Sequence, residues 1–329
     1  VSLRHRHAAA IVALVLLVLL PLWRLTTMQG VVITHDVFTS DLMNDAFPQR
    51  FFLGEALRDG ELPLWYPPVY GGFPLLARPE AGVCYPPNVA LFGLLPPYAA
   101  LNGTMLLTLV VAAVGMYLFA RQIVASTPAA MLAAVVFTWS GFMVAHLKHL
   151  SMVNVACWLP VGLLCIERSV RSADSGDAPA ARRWLLWLAG VFALQVLAGH
   201  VQIAYYSGLL YSAYFAARFL GRRAGAVMPR ALLAGWFVVC VTLAAGIAAV
   251  QILPTSELVR LSDRSGGVDF EYASQFRYEP ANWKLFFHPY ANGDPGNATY
   301  RGKGIFWEDY GYVGVLTLAL AVFGAVRAW

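Results

Sequence analysis

The sequence predicts an all-α, polytopic bundle embedded in a membrane, and three observations carry that prediction. Hydrophobic residues fill 59% of the 329 positions and charged residues only 12%, about half the charged share of a soluble domain. Ala8–Leu20, Leu106–Phe119 and Ala231–Val250 contain no charged residue, and several such runs approach the roughly 20 apolar residues that cross a bilayer core. The arginines cluster in every second connection between these runs, as they do in chains whose loops alternate between the two sides of a membrane.

Taken in order, the first span covers about 8–28 and is ended by Gln29 and Gly30. Arg4 and Arg6 ahead of an apolar run also fit a signal peptide, but no small-x-small cleavage site follows the run and further spans do. Later spans are predicted near 99–121, 128–147, 150–168, 184–199, 200–220, 229–252 and 309–328, about eight in all. Residues 88–97, with Pro96 and Pro97, read as a short re-entrant or interfacial piece. The chain forms one integral membrane domain, 1–329, with a first outer loop at about 29–98 and a second at about 253–308. An apolar run leads almost to Trp329, which suggests a piece of a longer membrane protein.

Orientation follows from the basic residues. With the N-terminus in the cytoplasm, the inner segments hold Arg4, Arg6, Arg121, Arg168, Arg171, Arg182, Arg183, Arg218, Arg222, Arg223 and Arg230. The short outer turns at 148–150 and 199–200 hold only Lys148. Of the acids, only Glu167, Asp174 and Asp177 then lie inside. The inner connection 171–183 reads as a plain solvated linker.

The first outer loop is the richest stretch in polar chemistry. Ser40 and Asp41 suit a helix start. Leu42, Met43, Ala46 and Phe47 recur at helical spacing. Pro48 suits the first turn of a second short helix, and Gly60 suits its C-terminal stop. Both helices are amphipathic and are expected to lie along the outer surface. Pro/Gly turns carrying Trp65, Tyr66, Tyr70 and Tyr85 follow, and aromatic residues of this kind favour the interface.

Asp36 and Asp41 lie just beyond the first span. A carboxylate there can serve as general base toward an acceptor hydroxyl, or hold a divalent metal with a phosphate; capping and solvation explain it as well. Asp45 shares a helix face with Asp41 and reads as solvated. Glu80 and its neighbour Arg78 can reach the same region, Arg78 as a phosphate partner or in a plain surface ion pair. His200 and Gln202 sit at the outer corner between two spans, where polar groups often face a cavity, although an imidazole bonded to backbone is commoner. Glu308 and Asp309 can complete an acidic site. His146 and His149 are loosely spaced for a metal. Cys84, Cys157, Cys165 and Cys240 have no metal or disulfide spacing. No P-loop, dinucleotide fingerprint, nucleophile elbow or HExxH motif is present, and nothing suggests nucleic-acid binding.

Several segments together resemble the YfhO-like bacterial membrane proteins of the GT-C class of glycosyltransferases. They are SDLMNDAFPQ (40–49), GELPLWYPPVYGGFPLLA (60–77), YPPN (85–88), GMYLFAR (115–121), FTWSGFMVAH (137–146), WLP (158–160), AGHVQIAYY (198–206) and GYVG (311–314). The resemblance implies a multi-pass protein of the bacterial inner membrane. It implies transfer of a sugar from a polyprenyl-phosphate donor to an acceptor glycan, lipid or protein on the outer face. The acidic role of the first outer loop then maps onto Asp41, with Asp36 as rival. The four residues between those two aspartates depart from the adjacent or DxD acids of many GT-C members, which leaves base and metal open. Arg78 and Arg50 become candidates for the phosphate. A transporter or lipid-carrier flippase, or a non-catalytic assembly protein, remains the alternative. The spans hold no deep acid and no clear half-repeat, which counts against transport.

Overall fold

Proline 21 decides how the chain begins. It removes a backbone donor and crowds the preceding turn, so the first apolar run is split into α1 (Leu3–Leu19) and the single turn α2 (Trp23–Thr26). The computed structural model describes residues 3–32, 40–222, 227–263, 265–275 and 277–328. Among these residues all regular structure is helical, apart from one isolated bridge between Tyr66 and Phe73. Asp36 lies outside the described residues.

A π-helical turn (Leu42–Ala46) runs straight into α3 (Phe47–Arg58). Pro48 stands in the first turn of α3 as expected, yet no break separates the two pieces. Neither lies loose on a surface: Leu42, Gln49, Arg50, Leu53 and Gly54 are buried against α4 (Pro86–Leu94) and α5 (Pro97–Ile123). Gly54 permits this approach, because a Cβ there would stand 2.5 Å from the carbonyl oxygen of Phe92. The short piece expected at 88–97 is a helix, α4, begun two residues earlier by Pro86 and Pro87.

The 27 residues of α5 span about 40 Å at 1.5 Å per residue, more than the roughly 30 Å hydrocarbon core. α5 packs on α1, on α6 (Thr127–Thr138) and on α9 (Leu159–Asp174). Small residues bring spans close in such bundles; a Cβ on Gly115 would lie 2.7 Å from Val161 Cγ2. Between α6 and α9 come α7 (Gly141–Ala145) and α8 (Leu150–Ala156). Thr108 of α5 donates to Asn154 of α8 at 2.7 Å.

The second half comprises α10 (Ala178–Leu197), α11 (Val201–Leu220) and α12 (Arg230–Ile247). Cys165, Ile166, Leu185, Leu188, Tyr211 and Leu233 form its core. The chain continues as α13 (Ala249–Arg260), α14 (Phe270–Ala273) and α15 (Val315–Ala328). The span expected to end at 252 is therefore two helices, and α13 runs eight residues into the predicted second outer loop. Among the described residues five segments are long and apolar enough to cross a membrane: Pro97–Ile123, Thr127–Ala145, Leu150–Asp174, Ala178–Leu197 and Arg230–Ile247. Two shorter apolar helices, His5–Leu19 and Val315–Arg327, stand beside them.

The connection 171–183 is more than a solvated linker. Glu167 is almost wholly buried, and its carboxylate accepts from Arg171 at 2.6 Å, from Arg218 at 2.7 Å and from Tyr214 at 2.9 Å. Asp174 pairs with the fully buried side chain of Arg222 at 2.7 Å. These bonds lock α9 to α11 and to the chain before α12, at the end of the bundle opposite the long loops.

Candidate functional site

The site is built at the loop-rich end by a turn that three elements hold in place. α3 stops at Gly60, whose φ of +80° suits the left-handed C-terminal position. Gly60 N–H donates to Leu57 and Glu61 N–H to Ala56, a Schellman ending. The chain then makes a tight hairpin, Tyr66 and Phe73 exchanging backbone bonds of 2.8 and 3.1 Å, and reaches Arg78-Pro79-Glu80. From α13, Gln251 Nε2 donates to the Leu76 carbonyl at 2.8 Å and Thr255 Oγ1 to that of Ala77 at 2.9 Å. From the other side Gly199, at φ +100°, lies directly against the Pro79 carbonyl.

That arrangement brings four of the sequence-predicted residues together. Arg78, Glu80, His200 and Gln202 line one cleft of about 700 Å³, within the size range of ligand sites. Arg78 Nη2 sits 2.8 Å from Asp45 Oδ2 and 3.5 Å from Glu80 Oε2. His200 caps α11, its Nδ1 accepting from the Ile203 amide at 3.3 Å. Burial holds the His200 imidazole below its ordinary pKa, against the opposing pull of Glu80 and Glu308. The positive end of the 20-residue α11 also faces this end of the bundle, favourable for an anion.

Asp41 belongs to an adjoining cluster instead of the cleft wall. Its Oδ2 lies 3.1 Å from His149 Nε2, with the carboxylate well exposed. His146 Nε2 stands 3.9 Å from Glu308 Oε1. The segment 305–312 straps this cluster: Lys148 Nζ lies 3.0 Å above the Trp307 ring and Gly141 N–H donates to the Tyr312 carbonyl at 2.7 Å. The second loop therefore folds onto the α7–α8 turn, while α13 clamps the first loop. Burial lowers the pKa of His149 and His146 below the usual imidazole range, more strongly than Asp41 raises the first. Among the described residues, no three His, Cys, Asp or Glu side chains are grouped to hold a metal ion. The four cysteines are free thiols, three of them buried.

Asp45 is a correction to the sequence reading. It is no solvated helix face: Arg78 and Gln49 both donate to its carboxylate. Burial raises its pKa, with Arg78 opposing. Helical spacing accounts for the bond from Gln49, four positions on, but the charged partner, Arg78, lies 33 positions away. Arg50 is the second surprise. It is fully buried, and its three guanidinium nitrogens have no hydrogen-bond partner among the described residues; burial holds its pKa down at about 10.

The polar cleft adjoins an apolar one. Tyr205, on its wall, also lines a groove of about 220 Å³ between α10, α11 and α12, with Leu188, Phe192, Leu209, Phe237 and Val241. The polar cleft and the apolar groove thus share one side chain. No protein-family model matches the chain, and no curated protein or solved structure is detectably similar to it.

Proposed function

We propose that the chain is a GT-C-type, YfhO-like glycosyltransferase that moves a sugar from a polyprenyl-phosphate donor to an acceptor outside the cell. The observation that carries this reading is the juxtaposition at Tyr205 of the polar cleft and the apolar groove. A polyprenyl-phosphate sugar has that same division, a charged head on an isoprenoid tail. In this reading the N-terminus is cytoplasmic, about eight helices span the inner membrane, and the loop-rich end faces outward.

Arg78 meets the donor phosphate, assisted by the positive end of α11. The acceptor hydroxyl oxygen forms a bond to the anomeric carbon as the bond from that carbon to the phosphate oxygen breaks. The electron pair stays on the phosphate, and inversion results. The hydroxyl proton passes to a carboxylate: Asp41 is the candidate base, and Glu80, inside the cleft, is its competitor. Arg78 offsets the charge developing on the leaving phosphate.

The test is a transfer assay in membranes with labelled polyprenyl-phosphate sugar and endogenous acceptors. Asp41→Asn or Glu80→Gln is expected to lower turnover by 10²-fold or more, within the range ascribed to general-base loss, while Arg78→Gln weakens the donor. Full transfer by the double variant Asp41→Asn/Glu80→Gln removes this mechanism. Carrier movement across vesicles without a glycosylated product assigns the cleft to transport instead.

A further inference from the structure

The end of the bundle opposite the long loops holds a groove that neither the cleft nor its apolar neighbour uses. Its volume is about 590 Å³, and it runs between the first turns of α1, the end of α5 and the start of α6. Two arginines stand on its wall, Arg6 on α1 and Arg121 in the last turn of α5. Arg6 is exposed and forms no ion pair among the described residues. Arg121 is held in place by its Nη1, which donates to the Val124 carbonyl at 2.7 Å and to that of Ala125. Its Nε is shielded from solvent and has no acceptor, although the Nε–Nη2 edge of a guanidinium is a fork suited to paired oxygens. Leaving such a buried donor unmatched is costly. The hydroxyls of Ser126 and Thr127 and the positive end of the 12-residue α6 complete the polar side. Among the described residues no carboxylate lines the groove.

The remaining walls are small or apolar, Ala13 of α1 and Met131 of α6 among them. Beside them Val12, Leu16 and Leu132 present exposed apolar side chains. α5 and α6 each belong to a segment long and apolar enough to cross a membrane, and α1 is a shorter apolar helix. Ala13 lies two turns beyond Arg6, about 10 Å along α1, so the groove passes from two cations to apolar surface over a short distance. An anion arriving through water would use only the charged part. We propose that this groove binds an anionic glycerophospholipid, its phosphate between Arg6 and Arg121 and the upper part of its acyl chains along Ala13 and Met131. The lipid then clasps α1 to α6 at the membrane surface. This inference is independent of glycosyl transfer, since it concerns the other end of the bundle and a different ligand.

Native mass spectrometry of the full chain in detergent tests this, with titrations of phosphatidylglycerol, of phosphatidylcholine with the same acyl chains, and of glycerol phosphate. Phosphatidylglycerol is expected to saturate one site at least tenfold more tightly than phosphatidylcholine, and glycerol phosphate is expected not to displace it. Arg6→Gln should weaken phosphatidylglycerol about fivefold, the share of one basic residue near a membrane surface. Because Arg6 is exposed and unpaired, the fold tolerates its loss. Ala13→Leu keeps both charges and narrows the apolar wall at a half-buried position, and it should weaken the lipid as well. Arg183→Gln removes an exposed charge near the same end but off the groove, and should leave binding unchanged. Equal weakening by Arg6→Gln and Arg183→Gln would mean diffuse surface charge and overturns the site. Equal binding of phosphatidylcholine, whose choline cancels the phosphate charge, overturns the anionic selectivity. Displacement by glycerol phosphate, with no effect of Ala13→Leu, assigns the groove to a soluble anion and overturns the lipid.

Discussion

Gly199→Ala is the sharpest structural perturbation of the cleft. Two independent costs arise at this position. The backbone φ of +100° lies in a region that residues with a Cβ rarely occupy, worth about 1–3 kcal/mol. The added Cβ would stand 2.5 Å from the carbonyl carbon of Pro79 and 3.1 Å from Glu80 Cα, and closer still to the Pro79 oxygen. That obstacle is backbone, so no side chain can rotate away, and overpacking adds about 1–3 kcal/mol. Relief requires the Arg78–Glu80 turn to leave α11, against the bonds that Gln251 and Thr255 make to it. The expected loss is roughly 2–6 kcal/mol, read as a lower thermal midpoint in detergent micelles. Gly190→Ala is the matched control: Gly190 is in mid-α10 with no atom within 4 Å of an added Cβ, and the substitution should stabilise by up to about 1 kcal/mol. If the two variants melt within about 0.5 kcal/mol of each other, the packing of the turn on the 199–200 corner is wrong.

Three further outcomes follow from the same geometry. Arg50→Met should match or exceed the parent in stability, because it removes a buried, unpartnered guanidinium; a loss above about 2 kcal/mol in chemical denaturation would mean that the charge has a compensating partner. Glu167→Gln should cost about 2 kcal/mol in the same measurement, below the 3–5 typical of a broken buried pair because Arg171 and Arg218 stay partly solvated; a neutral result refutes the lock between α9 and α11. The thermal midpoint should fall as pH drops below the ordinary histidine value of 6.5. The folded state holds His146, His149 and His200 at lower pKa, so the unfolded chain takes up protons first and gains from acid. The groups facing them are Asp41, Lys148, Glu80 and Glu308, and a His146→Gln/His149→Gln variant should show a shallower fall, while an unchanged slope refutes their role.

Local chemistry was legible in the sequence wherever neighbours in the chain decide it. Gly60 ends its helix because a positive φ is needed there, and the apolar runs mark the long helices because their composition alone sets their medium. Arg78, Glu80, His200 and Gln202 each stood out in the sequence as polar residues at the ends of apolar runs, but that they line one cleft, with Asp41 beside it and not in its wall, depends on how distant segments meet. Partners distant in sequence were not legible. Nothing around Asp45 announces Arg78, nothing around Glu167 announces Arg218, and the approach of Glu308 to His146 depends on how a long loop returns. Pro21 could have been recognised as a break in the first span, because its effect is local.

The polar corner is also explained by what α11 cannot do. Its first turns carry His200, Gln202, Tyr205 and Tyr206, too polar to be buried without partners. Among the described residues their hydrogen bonds are local: the imidazole caps its own helix and Gln202 bonds Tyr206. A helix start satisfied by itself needs nothing from the bundle, so its cleft-facing side can be spent on a ligand. The elements around it are braced, by contrast: Gln251 and Thr255 hold the turn from α13, and Lys148 and Trp307 hold the strap to the α7–α8 turn. Braced walls around a self-contained helix start are the arrangement that holds a bound group in one position.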